Sequence, residues 1–188
     1  MRKLKLQMQM TINGYVGGLN GENDWMTRNP DDEFIAFISS LIDSSDTLLL
    51  GRKTAESIIP FWEGTAEKNP AHPFAKKIAD IPKVVFTKTL DKSTWNNTIL
   101  AKGNLAEEIA RLKKENGKDI LVFGGADFVS SLINERLIDE YHLIINPTAM
   151  GNGMTIFNAL DRIEKFTPIQ SKLHPGGKTV LSFKPKDD

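Results

Sequence analysis

The chain opens with apolar and polar side chains in strict alternation, Lys3-Leu4-Lys5-Leu6-Gln7-Met8-Gln9-Met10. A period of two suits a strand buried on one face and does not suit a helix, so the first element is predicted to be a strand. Asn13-Gly14 breaks it. The stretch Gly17-Gly18-Leu19-Asn20-Gly21-Glu22-Asn23-Asp24 is too rich in Gly, Asn and Asp for regular structure, which predicts a long loop of the kind that carries function. Beyond Pro30-Asp31-Asp32-Glu33, the residues Phe34, Ile35, Ile38, Leu41 and Ile42 recur at helical spacing behind a proline and acids that suit a helix start.

Continuous apolar runs at 47–50, 84–87, 98–101, 120–123 and 141–145 predict further strands, and helical patterns fall at about 54–59, 104–117 and 128–133. Asn104 with Glu107 three residues on forms a capping pair, and Gly117 closes that helix. Pro60, Pro70, Pro73 and Pro82 argue against a long regular element across 60–82. Segments 166–172 and 179–183 flank Pro175-Gly176-Gly177 and predict a terminal hairpin. Strands alternating with helices and then a hairpin indicate an α/β fold, a three-layer α/β/α domain with a mostly parallel mixed sheet and a C-terminal antiparallel hairpin. One domain is expected over 1–188.

Composition narrows the partners. Lys+Arg and Asp+Glu both number 24, giving a formal charge of +0, so no whole-molecule basic field draws nucleic acid or an anionic membrane, and neither is expected as a partner. Cys 0 removes disulfides, thiolate metal sites and a cysteine nucleophile together. His72, His142 and His174 lie far apart without ligand spacing, so no metal is expected. The first residues lack an apolar targeting core and no run approaches a membrane span, which predicts a cytoplasmic protein.

In an open α/β sheet, ligands bind beyond the carboxyl ends of the strands. Three such ends are Gly51-Arg52-Lys53-Thr54, Thr87-Lys88 and Gly124-Gly125-Ala126. Singly, these read as a tight turn or solvated charge. Together they offer cations, hydroxyls and bare backbone to an extended polyphosphate ligand, which fits a dinucleotide with an additional 2′-phosphate. The sequence holds neither GxxxxGK[ST] nor GxGxxG, so neither a P-loop nor an ordinary Rossmann site is indicated.

The run Leu50-Gly51-Arg52-Lys53-Thr54-Ala55-Glu56-Ser57-Ile58 resembles the GRxTxESI segment of dihydrofolate reductases, and Val122-Phe123-Gly124-Gly125-Ala126 resembles their cofactor loop. The opening strand, Asn13 to Gly17, Trp25 and the order of elements agree along nearly the whole chain. Within this dihydrofolate reductase-like superfamily, the segment from Asn146 to Gly153 with Phe157 is similar to the PxxxGxG…F segment of the riboflavin-biosynthesis reductase domain, the RibD C-terminal type, here as a small stand-alone bacterial protein. Dihydrofolate reductases proper lack that segment.

The resemblance implies NADPH as hydride donor. It implies diphosphate contacts from Thr54, with Phe123, Gly124, Gly125 and Ala126 on the opposite side. For the 2′-phosphate it implies Arg52 or Lys53 with Thr87 and Lys88, and for the nicotinamide Val16 and Gly17. Trp25, Pro147, Gly151 and Gly153 are assigned to the substrate. The W-x-x-P-x-D arrangement of the family survives with an insertion between Trp25 and Pro30, which makes Asp32 the first choice for proton supply and Asp31 the second; both also suit the start of a helix. Asp127 beside the phosphate loop and Ala55 in place of a large aromatic depart from the pattern. The implied activity is reduction of a pterin-like or 5-amino-6-(ribosylamino)uracil phosphate-like small molecule. The alternatives are a true dihydrofolate reductase and a nucleotide-binding module without turnover. Related reductases dimerise through a sheet edge, so a homodimer is the implied assembly.

Overall fold

Strand β1 (Leu4–Thr11) lies inside an eight-stranded sheet of order β4-β3-β2-β5-β1-β6-β8-β7. A computed structural model describes residues 1–186. The elements follow as α1 (Asp32–Asp43), β2 (Ser45–Gly51), α2 (Arg52–Lys68), α3 (Ala75–Asp80), β3 (Lys83–Phe86) and β4 (Thr98–Ala101). Then come α4 (Leu105–Lys114), β5 (Asp119–Gly124), α5 (Ala126–Asn134), β6 (Glu140–Asn146), β7 (Phe166–Leu173) and β8 (Thr179–Pro185). Strands β1 to β6 pair in parallel, and β8 joins β6 and β7 antiparallel. The mixed, mostly parallel sheet with its terminal hairpin is the predicted fold class.

The order explains the layers. Connections from β1 to β2 and from β2 to β3 step toward the β4 edge, whereas those from β4 to β5 and from β5 to β6 step back. Right-handed crossovers running in opposite directions put their helices on opposite faces. Accordingly Phe34, Ile38, Leu41, Ala55, Ile59 and Ile78 of α1 to α3 share one core, and Ile109, Leu112, Val129 and Leu132 of α4 and α5 share the other.

Leu4, Leu6, Met8 and Met10 all pack into the α4/α5 core. The pleat turns Lys5, Gln7 and Gln9 to the α1 side. There Lys5 Nζ lies 3.3 Å from Ser44 Oγ at the end of α1 and pairs with Asp119 at 2.8 Å. The polar half of the alternation is thus covered by a helix and forms a partly buried polar layer.

One expectation is corrected. Helix α2 runs from Arg52 through Pro60 to Lys68, and a short α3 follows, so the segment 60–82 is more regular than its prolines imply. Pro60 is exposed, and so is Glu56, the residue whose carbonyl its missing N–H leaves without a helical donor. Ile59 anchors one side, while Trp62 meets Phe61, His72 and Phe74 edge-on at 5.0, 5.4 and 5.4 Å, so tertiary packing overrides local propensity.

Candidate functional site

Register places the three predicted strand ends side by side. Leu50 on β2 pairs with Gly124 on β5, and Gly51 pairs with Phe86 on β3, so Arg52, Lys53, Thr54, Thr87, Lys88 and the Gly124-Gly125 turn border one crevice. Gly124 has a φ of 125°, a conformation that favours glycine, and the Gly124-Gly125 peptide is cis. A Cβ on Gly125 would collide with the Thr54 hydroxyl, and one on Gly51 would stand 2.9 Å from Phe128 Cβ. The ends of β2 and β5 approach this closely only because both residues are glycine.

The helix starts differ in a telling way. Asp31 caps α1 by accepting from Phe34 N, and Asn104 caps α4 by accepting from Glu107 N. In contrast α2 and α5, which follow the crevice strands, have Gly51 and Gly125 as caps with no side-chain bond. Their first N–H groups, at the positive end of each helix, are left to an outside acceptor. Arg52 donates to Glu56 at 2.7 Å, and Lys53 and Lys88 are exposed. Thr87 is buried, and its oxygen accepts from Thr89 N and Leu90 N, each at 3.1 Å. Phe123 packs against the α1–α3 core, and Ala126 begins α5. Asp127 is exposed in the first turn of α5.

On the other side of β5, the ends of β1 and β6 form the second half of the crevice. Val16 N donates to Met154 O and Met154 N donates to Gly17 O, both at 2.8 Å, zipping the first loop to the segment after β6. A Cβ on Gly153 would lie 2.5 Å from Gly17 O, so this close approach requires glycine there, while Gly151 faces open space. Trp25 is 9% exposed, donates to Glu22 O, and accepts through its own carbonyl from Thr148 Oγ1. Pro147 lies beneath the hairpin turn, 3.6 Å from where a Cβ on Gly177 would sit.

The two predicted acids part company. Asp32 is exposed on the first turn of α1. Asp31 accepts from Phe34 N and from Gly176 N, both at 2.9 Å, and lies 3.5 Å from His174 Nδ1. Burial acts to raise its pKa, but the Gly176 and Phe34 N–H groups and His174 outweigh that and hold the carboxyl below the usual range. Asp31 is therefore an ionised clip between α1 and the β7–β8 turn.

Residues the sequence reading did not single out complete this end. His174 is 2% exposed, and neither ring nitrogen has a hydrogen-bond partner among the described residues. Ligand atoms of Asp31, Glu33 and His174 lie within 4.8 Å of one another, a convergence that spacing along the chain cannot reveal. A cation there would face the positive end of α1 and compete with Lys172, which holds Glu33 at 2.9 Å. Asn146 donates to Gln9 Oε1 at 2.8 Å and accepts from Thr27 N at 3.0 Å, and Lys178 Nζ donates to the same Gln9 oxygen at 3.3 Å. At the opposite end of the sheet a cleft of about 440 Å³ includes Arg2 and Lys113, but those cations are already paired with Asp46 and Asp139.

With this geometry in place, the class is an open α/β fold whose strand ends and uncapped helix starts meet at the carboxyl side of the sheet. The chain belongs to the RibD C-terminal domain family, whose model matches residues 2–174. It is 33% identical to the uncharacterized protein YyaP of Bacillus subtilis over 156 residues, 83% of this chain and 80% of that one. A putative riboflavin biosynthesis protein from Shewanella sp. PV-4 shares the fold at a TM-score of 0.75 and 24% identity, with 100% of both chains covered. The deaminase/5-amino-6-(5-phosphoribosylamino)uracil reductase of Thermotoga maritima shares it at a TM-score of 0.70 and 14% identity, over 98% of this chain and 57% of that one.

Proposed function

We propose that this protein is an NADPH-dependent reductase of the riboflavin type, acting on a pterin-like or 5-amino-6-(ribosylamino)uracil phosphate-like small molecule. The observation that carries the reading is the crevice between β3, β2 and β5, where two uncapped helix starts, the Gly125 contact and the Arg52/Lys88 cations converge. Family membership supports it. The residues fit the cofactor: bare N–H groups at α2 and α5 with Thr54 suit a diphosphate, and Arg52, Lys53, Thr87 and Lys88 suit the 2′-phosphate that distinguishes NADPH from NADH. When bound, NADPH supplies a hydride to a C=N or C=O carbon. Val16 and Gly17, fixed by their bonds to Met154, are the residues that would line the nicotinamide.

Titration with NADPH, followed by nicotinamide fluorescence, tests the reading. Saturable binding in the micromolar range is expected, and no binding at high micromolar cofactor refutes it. Combined Arg52→Ala and Lys88→Ala removes two charge-assisted contacts, so NADPH affinity should fall about 10- to 100-fold with NADH affinity unchanged.

One observation favours a second reading, a nucleotide-binding module without turnover. Asp31 is held ionised by structural hydrogen bonds, and a carboxylate of that kind is a poor general acid at neutral pH. NADPH oxidation with any member of a panel of dihydropterins, dihydrofolate and aminopyrimidines decides for the enzyme. Tight cofactor binding without any turnover decides for the module. For assembly, the proposal is a homodimer through the hairpin edge, where Ile169 and Leu173 of β7 are 50% and 72% exposed.

A further inference from the structure

Four cationic side chains are buried among the described residues, and three of them are fully provided for. Arg2 meets Asp46, Thr47 and the Lys118 carbonyl. Lys83 donates to the carbonyls of Ala79 and Ile81 at 2.7 and 2.9 Å, at the negative end of α3. Lys113 reaches the Leu137 carbonyl at 2.8 Å and Asp139 at 2.6 Å. Lys178, 5% exposed, is the exception. Its ammonium has one acceptor, Gln9 Oε1 at 3.3 Å, and otherwise rests over the Phe34 ring at 4.9 Å. No carboxylate lies within ion-pair distance of it among the described residues.

An ammonium carries three donors and no acceptor, so two N–H groups of Lys178 are uncommitted. Burying such a charge without a counter-charge is costly, and burial alone pushes its pKa below the usual lysine range. The nearby carboxylate at the start of α1, Asp31, is already tied to Phe34 N and Gly176 N. Beside the ammonium, Gln9 has its amide oxygen occupied by two donors, Asn146 Nδ2 and Lys178 Nζ, so its NH2, which has no partner among the described residues, is the group it has left to offer. Lys178 and Gln9 therefore leave uncommitted donors at the ends of β1 and β8, next to the half of the crevice assigned to the substrate.

We propose that Lys178 and the Gln9 amide hold an oxyanion of the substrate, a carboxylate or a phosphate. This rests on the reductase reading and narrows its substrate class to anionic molecules. Phe34 keeps the ammonium in place before the anion arrives, and the anion supplies the missing counter-charge.

The test uses the full chain saturated with NADP+, so that the other phosphate-binding end is filled, and the probes are inorganic phosphate and benzoate. Backbone ¹H–¹⁵N signals of Gly176, Gly177 and Thr179 report on the turn. A saturable shift is expected with a dissociation constant of order 1 mM. Response to phosphate alone assigns a phosphorylated substrate, and response to benzoate alone assigns a carboxylate. Lys178→Met should weaken the response about 10-fold or more, Lys178→Arg should retain it, and NADPH fluorescence titrations should be unchanged in both. Absence of any shift for both probes at about 50 mM overturns the proposal, as does an undiminished response in Lys178→Met. If Lys178→Met does not fold, Lys178→Gln takes its place. If the wild type binds no NADPH, the reductase reading falls separately, and the same titration on the Arg52→Ala/Lys88→Ala chain still decides the role of Lys178.

Discussion

A methyl group on Gly125 would run into the Thr54 hydroxyl, so Gly125→Ala must turn that hydroxyl aside or shift the start of α2. That overpacking should cost about 1–3 kcal/mol, read from the urea midpoint, and should weaken NADPH binding about 10-fold or more. Asp31 makes a prediction of opposite chemistry. Its folded pKa lies below the unfolded value, so its contribution to stability is present above the ordinary carboxylate range and is lost as pH falls through the lowered folded value. Asp31→Asn should therefore lower stability at neutral pH and flatten the acid limb of a stability-versus-pH curve. At this scale the meeting of the β2 and β5 ends was legible, because Gly51 to Thr54 and Gly124 to Ala126 are contiguous signals. The Gln9–Asn146–Lys178 group was not, since Gln9 and Lys178 are 169 positions apart and each looks ordinary among its own neighbours.

Among the elements, β1 was the easiest to read, because a period of two leaves little choice of structure. The crossover helices α1 and α4 were also visible, with Asn104 capping as its spacing with Glu107 indicates. Asn104→Ala should cost about 1 kcal/mol in denaturant unfolding, with NADPH binding intact. Helix α2 was foreshortened, since its continuation past Pro60 depends on Trp62 packing with His72 and Phe74, a contact local propensity does not contain. Pro60→Ala restores an N–H to that helix at an exposed position. Net of the flexibility it returns to the unfolded chain, it should stabilise the protein by about 2 kcal/mol, seen as a higher melting temperature.

At the scale of the whole molecule, β7 forms the free edge beyond β8 and carries exposed Ile169 and Leu173. An apolar cavity of about 170 Å³, lined by Tyr141, Leu143, Phe157, Phe166 and Phe183, opens near the same end of the sheet. Exposed apolar edge strands invite pairing with a second chain. Light scattering should give twice the chain mass, and Ile169→Lys with Leu173→Lys should reduce it to a monomer that still binds NADPH. A single-chain mass for the wild type removes the dimer.

The placement of β1 carries a consequence for biosynthesis. Of these eight strands, β1 leaves the ribosome before the others and pairs only with β5 and β6, whose residues begin at Asp119 and Glu140. Loop closure on this scale makes folding slow, so the amino-terminal third waits, with its apolar row unsheltered, until most of the chain has been made. Nascent chains arrested before β6 has emerged should be cleaved readily by protease within residues 4–51, and the released full chain should resist it.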